Sequence, residues 1–193
     1  MSPQGVKLDE DTILDAARRC FARKGVHGTT MSEIAAQAGV SRTTLYRSYA
    51  GRDHVALALL QREIARFRAE LERRAAAACS IEELVVSGAT LVAQAWADGT
   101  FPEIDLTIEG AGPGRPGVPE RIVKMPTEVI TPHVVRIAEL DRTEARRVSE
   151  WIVRNVLTYL LVPSADVNLR SPASIRRFIR RFVLPAVGQR VGS

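Results

Sequence analysis

The stretch TTMSEIAAQAGVSRTTLYRSY, residues 29–49, decides how this chain is read. Thr30-Met31-Ser32-Glu33 matches a capping box, in which the threonine oxygen accepts from a backbone N–H three residues on and the glutamate reaches back to the cap's own N–H. A helix therefore begins at Met31. Ile34, Ala35 and Ala38 give it a buried face, and Gly39 ends it by accepting a left-handed conformation that any Cβ makes more costly. Ser41 caps a second, shorter helix whose Leu45 and Tyr49, at i and i+4, face inward. Arg42, Thr43, Thr44, Tyr46 and Arg47 are left for its other faces.

Two helices hinged on a short glycine turn form a helix-turn-helix, whose second helix lays its N-terminal side chains in the DNA major groove. The residue types suit that task, because hydroxyls and tyrosine reach phosphates and arginine pairs two acceptors on guanine. A helical hairpin inside a bundle would show the same turn. Against it, Thr43, Thr44, Tyr46 and Arg47 are polar where a buried hairpin prefers aliphatic residues.

Outward from this stretch, apolar residues recur at three-to-four spacing nearly everywhere, so the chain reads as all-α with no internal repeat. A first helix is expected over residues 9–24, with Asp9, Glu10 and Asp11 favouring its start, Ile13, Ala16, Ala17, Cys20 and Phe21 on one stripe, and Gly25 as its stop. A long helix over residues 52–79 carries Val55, Leu59, Leu60, Ile64, Phe67 and Leu71 on its apolar side, and Ser80 recaps the chain. Helices follow over residues 81–97, 120–140, 143–161 and 171–187, the second of these interrupted or kinked by Pro126 and Pro132. Between them lie a short segment at 103–109 and a loop, GAGPGRPGVP, at 110–119.

With 193 residues, 46% apolar and 25% charged, the chain buries a core as one large domain or two small ones. MSPQGVKLDEDTI holds no stretch resembling a signal peptide, and the longest uncharged run, residues 84–97, is too short to span a bilayer; a cytoplasmic location without a membrane partner is expected. Cys20 and Cys79 each sit in a helical apolar pattern and read as buried free thiols. The formal charge is +5, unevenly spread: 13 Lys/Arg against 9 Asp/Glu in residues 1–78, 9 against 13 in 79–170, and 5 against none in 171–193. Basic ends and an acidic middle suit a nucleic-acid-facing N-terminal part, although an ordinary solvated surface gives the same distribution.

The run ILDAARRCFARKGVHGTTMSEIAAQAGVSRTTLYRSYAGRDHV resembles the DNA-binding domain of TetR/AcrR-family transcriptional regulators. The likeness covers residues 13–60, and its marks are the Phe-x-x-x-Gly end of the first helix, Thr29-Thr30, Ile34-Ala35, Ala38-Gly39-Val40-Ser41 and Leu45-Tyr46. It implies about nine helices in two domains: a three-helix head over residues 1–51, and a ligand-binding and dimerisation domain over 52–193, connected by helix 52–79. On matching positions, Thr30 and Ser41 cap helices and touch phosphates, Arg42, Thr43 and Thr44 face bases, Tyr46 and Arg47 clamp the backbone, and Arg52 meets phosphate. Two departures stand out. Ser48-Tyr49 replaces a frequent His-Phe pair, and Gly51 occupies a usual Ser/Asn cap, at a cost of tenths of a kcal/mol (~0.3).

The resemblance also implies partners: a double-stranded DNA operator, a second copy of the chain, and a small apolar or amphipathic inducer. No cofactor or metal is expected. Phe67, Leu71, Leu91, Trp96, Met125, Ile130 and His133 are candidates to line the inducer cavity, though such a stripe is ordinarily just core and His133 reads more readily as a partly buried structural residue than as a ligand contact. Val148, Trp151, Ile152, Asn155, Val156 and Tyr159, with Ile175, Phe178, Ile179 and Phe182, form two stripes that either pack inside one chain or meet at a dimer seam. Two other readings remain: a helical enzyme, for which no convergent acid, base or nucleophile set shows itself, and a helical module that binds protein. GAGPGRPG lacks the Lys-Ser/Thr of a phosphate loop, and His27, His54 and His133 are too dispersed for a metal site.

Overall fold

The computed structural model describes residues 9–98, 120–162 and 171–185, together with 164, 167 and 169. Every regular element among them is helical: α1 Glu10–Gly28, α2 Met31–Ala38, α3 Arg42–Ser48, α4 Arg52–Ala77, α5 Ile81–Ala97, α6 Glu120–Ala138, α7 Arg142–Leu161 and α8 Pro172–Phe178, the last running into a π-helical stretch, Ile179–Val183. The segment expected at 103–109 and the loop at 110–119 lie outside the described residues, as does the end of the final helix beyond 185. No helix among the described residues is long and apolar enough to cross a membrane.

The chain divides into two compact units, residues 1–65 and 66–193. The division falls inside α4, not ahead of it at 51/52, because Val55 and Leu59 of α4 are buried in the core of the first unit. That core brings together Ile13 and Phe21 of α1, Ile34 of α2 and Leu45 of α3. Its elements begin and end where their caps dictate. Asp9 caps α1, Thr30 and Glu33 close the capping box of α2, Gly39 ends α2 at φ 70°, and Ser41 caps α3. Gly25, at φ 70° and ψ 169°, breaks α1, after which one further turn reaches Gly28. The buried Thr29 hydroxyl donates to the Gly25 carbonyl across that break at 2.8 Å.

The stripe expected on α4 is displaced. Burial follows i, i+4 through Val55, Leu59, Glu63, Phe67, Leu71 and Ala75, so Leu60 is half-buried and Ile64 is exposed. A carboxylate, Glu63, thus occupies a position that amphipathic spacing assigns to an apolar residue.

In the second unit, α6 and α7 form an antiparallel hairpin across a three-residue turn in which Glu139 takes φ 53° and Asp141 caps α7. Pro126 and Pro132 do not interrupt α6, which is helical on both sides of each. Each removes a ladder hydrogen bond, a loss of about 3 kcal/mol in an unsupported helix. Packing of Val129, Ile130 and Val134 into the core offsets it. Cys20 is buried as expected, whereas Cys79 is exposed, since it sits in the α4–α5 turn outside either helix.

Candidate nucleic-acid interface

The third helix is short, seven residues, and owes its shape to two anchors. At its start the Ser41 Oγ accepts from the Thr44 N–H at 3.0 Å and lies 2.6 Å from the Thr44 Oγ1, so one of the two hydroxyl protons is spent within the cap. In its middle Leu45 is 0% exposed and fixes which face turns inward. Arg42, Thr43, Tyr46, Arg47 and Ser48 are consequently all exposed, with Tyr46 at 46%, and Thr44 is half-buried. A helix that buries one leucine and offers two arginines, a threonine and a tyrosine to solvent has the dimensions and the donors to enter a major groove.

Its surroundings hold it in place. Just after α3, the Tyr49 hydroxyl donates to Glu10 Oε1 at 3.2 Å, and burial together with the neighbouring Glu10 charge pushes the phenol up to about 12. Glu33 receives the Thr30 N–H at 2.8 Å and the Thr30 hydroxyl at 2.9 Å, and pairs with Lys24 of α1. The Lys24 hydrogen bond, followed by the Thr30 backbone bond, lowers its carboxyl to about 2. Thr30 is therefore exposed but already spends its hydroxyl proton within the capping box.

Arg52 is only half exposed. Its Nη1 donates to the carbonyls of His27, at 2.7 Å, and Thr29, at 3.5 Å, and its Nε donates to Asp53. The residue expected to meet phosphate thus ties the start of α4 to the joint between α1 and α2, leaving Nη2 for any further partner.

Sequence reasoning missed the strongest tie in this unit. Arg62 of α4 donates from Nη1 to the Asp11 carboxylate at 2.9 Å and the Asp11 carbonyl at 3.2 Å, and from Nη2 to Asp15 at 2.7 Å and Glu63 at 2.9 Å. The guanidinium side chain is 11% exposed and that of Glu63 is 6% exposed. The available signal was Asp11 and Asp15, spaced i, i+4 on α1, a carboxylate row awaiting a cation from another helix.

In the second unit a cavity of about 50 Å³ lies between α4, α5, α6 and α7, walled by Leu71, Leu84, Gly88, Ile130, Ile152 and Val156 among others. Two of the candidate ligand residues, Leu71 and Ile130, line it. Phe67 is buried elsewhere in the same core, and Leu91 and Met125 are half-buried against it. His133 is half-buried and outside the cavity wall, its pKa lowered by burial and then by Arg136. The Trp96 side chain lies outside the described residues.

The proposed seam separates into two groups. Val148, Ile152, Val156, Ile175, Phe178 and Ile179 are buried in the core of their own unit and leave almost no surface for a partner, because α7 packs chiefly on α6 and α8 on α5. Trp151, 41% exposed, and Phe182, 51% exposed, stand outward, while Asn155 and Tyr159 are half-buried. Tyr159, Phe178 and Phe182 form a continuous aromatic row, with ring centroids 4.9 and 5.3 Å apart.

Comparison with known proteins agrees with this architecture. Residues 13–59 match the family model described as bacterial regulatory proteins, tetR family. HTH-type transcriptional regulators from two strains of Mycobacterium tuberculosis are 31% identical over 196 residues, spanning 97% of this chain and 89% of each relative. Among solved structures, the TetR family repressor AlkX from Dietzia has a TM-score of 0.59 at 21% identity, covering 96% of this chain and 99% of that one. The fatty acid degradation regulator FadR from Bacillus halodurans has 0.59 at 22%, covering 92% and 96%. Helix-turn-helix geometry, an outward-facing α3 and relatives matched along nearly their whole length lead to one conclusion: the chain belongs to the TetR family and is a DNA-binding transcriptional regulator.

Proposed function

We propose that the chain is a repressor that binds a near-palindromic double-stranded operator as a homodimer and leaves it when a small apolar or amphipathic molecule enters the second unit. The exposure pattern of α3 carries the reading: one fully buried leucine, with Arg42, Thr43, Tyr46 and Arg47 all turned to solvent. Arg42, Thr43 and Thr44 face bases, with the Thr44 hydroxyl shared with Ser41, and Tyr46 and Arg47 hold phosphates. Ser41 and Thr30 act through the helix ends they cap, and Arg52 chiefly by fixing α4 against the α1–α2 joint. Trp151 and Phe182, with Asn155 and Tyr159 beside them, are the residues left to meet a second copy.

The small cavity supports the switching mechanism. Ligand sites enclose roughly 300–1,000 Å³, so a molecule entering a cavity of about 50 Å³ must push its walls apart. Leu71 of α4 is one wall, and the same helix carries Arg52 and Arg62 into the head. A coupling of about 1–3 kcal/mol between ligand and operator is enough for a useful switch, and ligand and DNA must then oppose each other reciprocally.

The test is retardation of DNA from the gene's own upstream region, with wild type and an Arg42→Ala/Arg47→Ala variant. Wild type should retard the fragment and the variant should not. Retention by the variant would assign recognition to another surface, and no retention by either would favour a protein-binding role.

A further inference from the structure

The hairpin of α6 and α7 carries a second concavity that the operator reading does not use. It is an open groove of about 490 Å³, walled on α6 by Pro132 and Val135 and on α7 by Arg142 and Arg146, with Glu128 on its rim. Its volume lies within the range of small-molecule sites, unlike the inner apolar cavity. We propose that this groove binds a small amphipathic oxyanion, a phosphate or carboxylate head on an apolar body, through paired guanidinium groups.

Three observations point there. Arg142 and Arg146 stand at i, i+4, so both project from one side of α7, and neither has a carboxylate within salt-bridge distance among the described residues. Like charges at that spacing destabilise a helix, and Arg142, in the first turn, opposes the helix dipole. Both costs disappear when an anion sits between the two groups. Nothing in the fold calls for the pair, since both residues are exposed and the apolar face of α7 is elsewhere.

The wall opposite sets the rest of the ligand. Thr127 and Thr131 of α6 spend their hydroxyls on the carbonyls of Val123 and Thr127, at 2.7 and 2.6 Å, so they offer the groove no proton. Pro132 and Val135 supply apolar surface, which suits a hydrocarbon body more than a sugar or a peptide. Glu128 keeps one negative charge on the rim, with no ion pair to either guanidinium. A single anionic head tolerates that charge at a distance, whereas a polyanion such as a nucleic-acid backbone would run against it.

The test uses the full chain without DNA, so its outcome is independent of operator binding. Octyl phosphate and octanoate, both below their micellar concentrations, are titrated calorimetrically against octan-1-ol and inorganic phosphate. At least one amphipathic anion should bind saturably, about tenfold or more tighter than either control, since head and chain each contribute. Arg142→Gln/Arg146→Gln, altering exposed residues only, should lose about tenfold or more of that affinity. Glu128→Gln should gain about twofold to fivefold by removing the repulsion. Gly88→Ala, in the inner cavity, should leave binding unchanged. Equal affinity in the arginine variant, loss in Gly88→Ala with retention in the arginine variant, or no saturable binding of either amphiphile would each overturn the assignment.

Discussion

The two compact units are held together by a different balance of the same two forces. In the head, helix is tied to helix by directional polar bonds: Arg62 from α4 to α1, Arg52 from α4 to the α1–α2 joint, Tyr49 to Glu10, and Lys24 to Glu33. The second unit has such ties too, from Arg74 to the Ser87 carbonyl, from Arg136 to the Ala78 carbonyl and from Arg176 and Arg180 to Glu82, but its apolar core, running from α4 to α8, is much larger. A head of some sixty residues buries too little apolar surface to fix its helices by packing alone, and burial carries no direction in any case. Hydrogen bonds do carry direction, and an element that must sit in a groove gains most from them. A ligand chamber gains from a larger share of non-directional packing, which yields without breaking specific bonds.

The largest expected effect breaks that contrast at its strongest point. Arg62→Met removes one partner of the buried Glu63 together with the ties to Asp11 and Asp15, and should destabilise the head by about 3 kcal/mol, while Arg62→Met/Glu63→Met should recover much of the loss, because the buried carboxylate goes with its cation. Both tryptophans, Trp96 and Trp151, belong to the second unit, so their fluorescence reports that unit and helical circular dichroism reports both. In urea the dichroism transition of Arg62→Met should move to lower denaturant while the fluorescence transition stays. Coincident movement of both would show one cooperative body and erase the distinction.

Next in size is recognition itself. Arg47→Ala should cost about 1–3 kcal/mol of operator affinity per copy and reduce the salt slope by about one, uniformly over sequences, as expected for a phosphate contact. Arg42→Ala should cost a similar amount but relax the preference at particular base pairs. Both side chains are exposed, so neither change should move the unfolding transitions. Competition binding against single-base operator variants separates the two outcomes.

The contrast also explains what could be read from the sequence. The caps at Thr30, Gly39 and Ser41 and the burial of Leu45 were legible because each depends on residues at most four apart. The bond from Arg62 to Asp15 was not, since its partners lie 47 residues apart and only the fold brings them together. Ile64 was misplaced for the same reason: a buried carboxylate with a cation beside it satisfies the stripe as well as an isoleucine does. On α7 and α8 the periodicity found the apolar faces correctly. Periodicity cannot say whether such a face meets its own chain or another, and most of these residues meet their own.

A smaller effect probes the yielding unit. At Gly88 an added Cβ would meet Leu71 Cδ1 at 3.5 Å, an ordinary contact, so Gly88→Ala fits the cavity without strain. Replacing a mid-helix glycine should stabilise the second unit by about 0.5–1 kcal/mol, raising the fluorescence midpoint alone. Operator affinity should be unchanged without inducer. Any inducer that uses the inner cavity should bind more weakly, since its walls start closer together.

The smallest effect is the pH dependence of the head's polar ties. Glu33 titrates at about 2 in the folded protein against 4.5 as its ordinary value, so its contribution is fully present above pH 4.5 and is lost as pH falls from there toward 2. Tyr49 runs the other way. Its phenol is raised from 10 to about 12, so its contribution holds below pH 10 and is lost as pH rises through 12. The difference in unfolding free energy between wild type and Glu33→Gln should therefore shrink on acidification, and that between wild type and Tyr49→Phe on alkalisation. Glu70, also lowered to about 2 by Arg73 and Arg74, provides the control, because its partners lie three and four residues away on the same helix. Glu70→Gln should fray α4 locally and leave operator binding intact at pH 7, whereas Glu33→Gln, which loosens α2 from α1, should weaken it. Equal DNA affinity in the two variants would mean that the polar ties stabilise the head without orienting it.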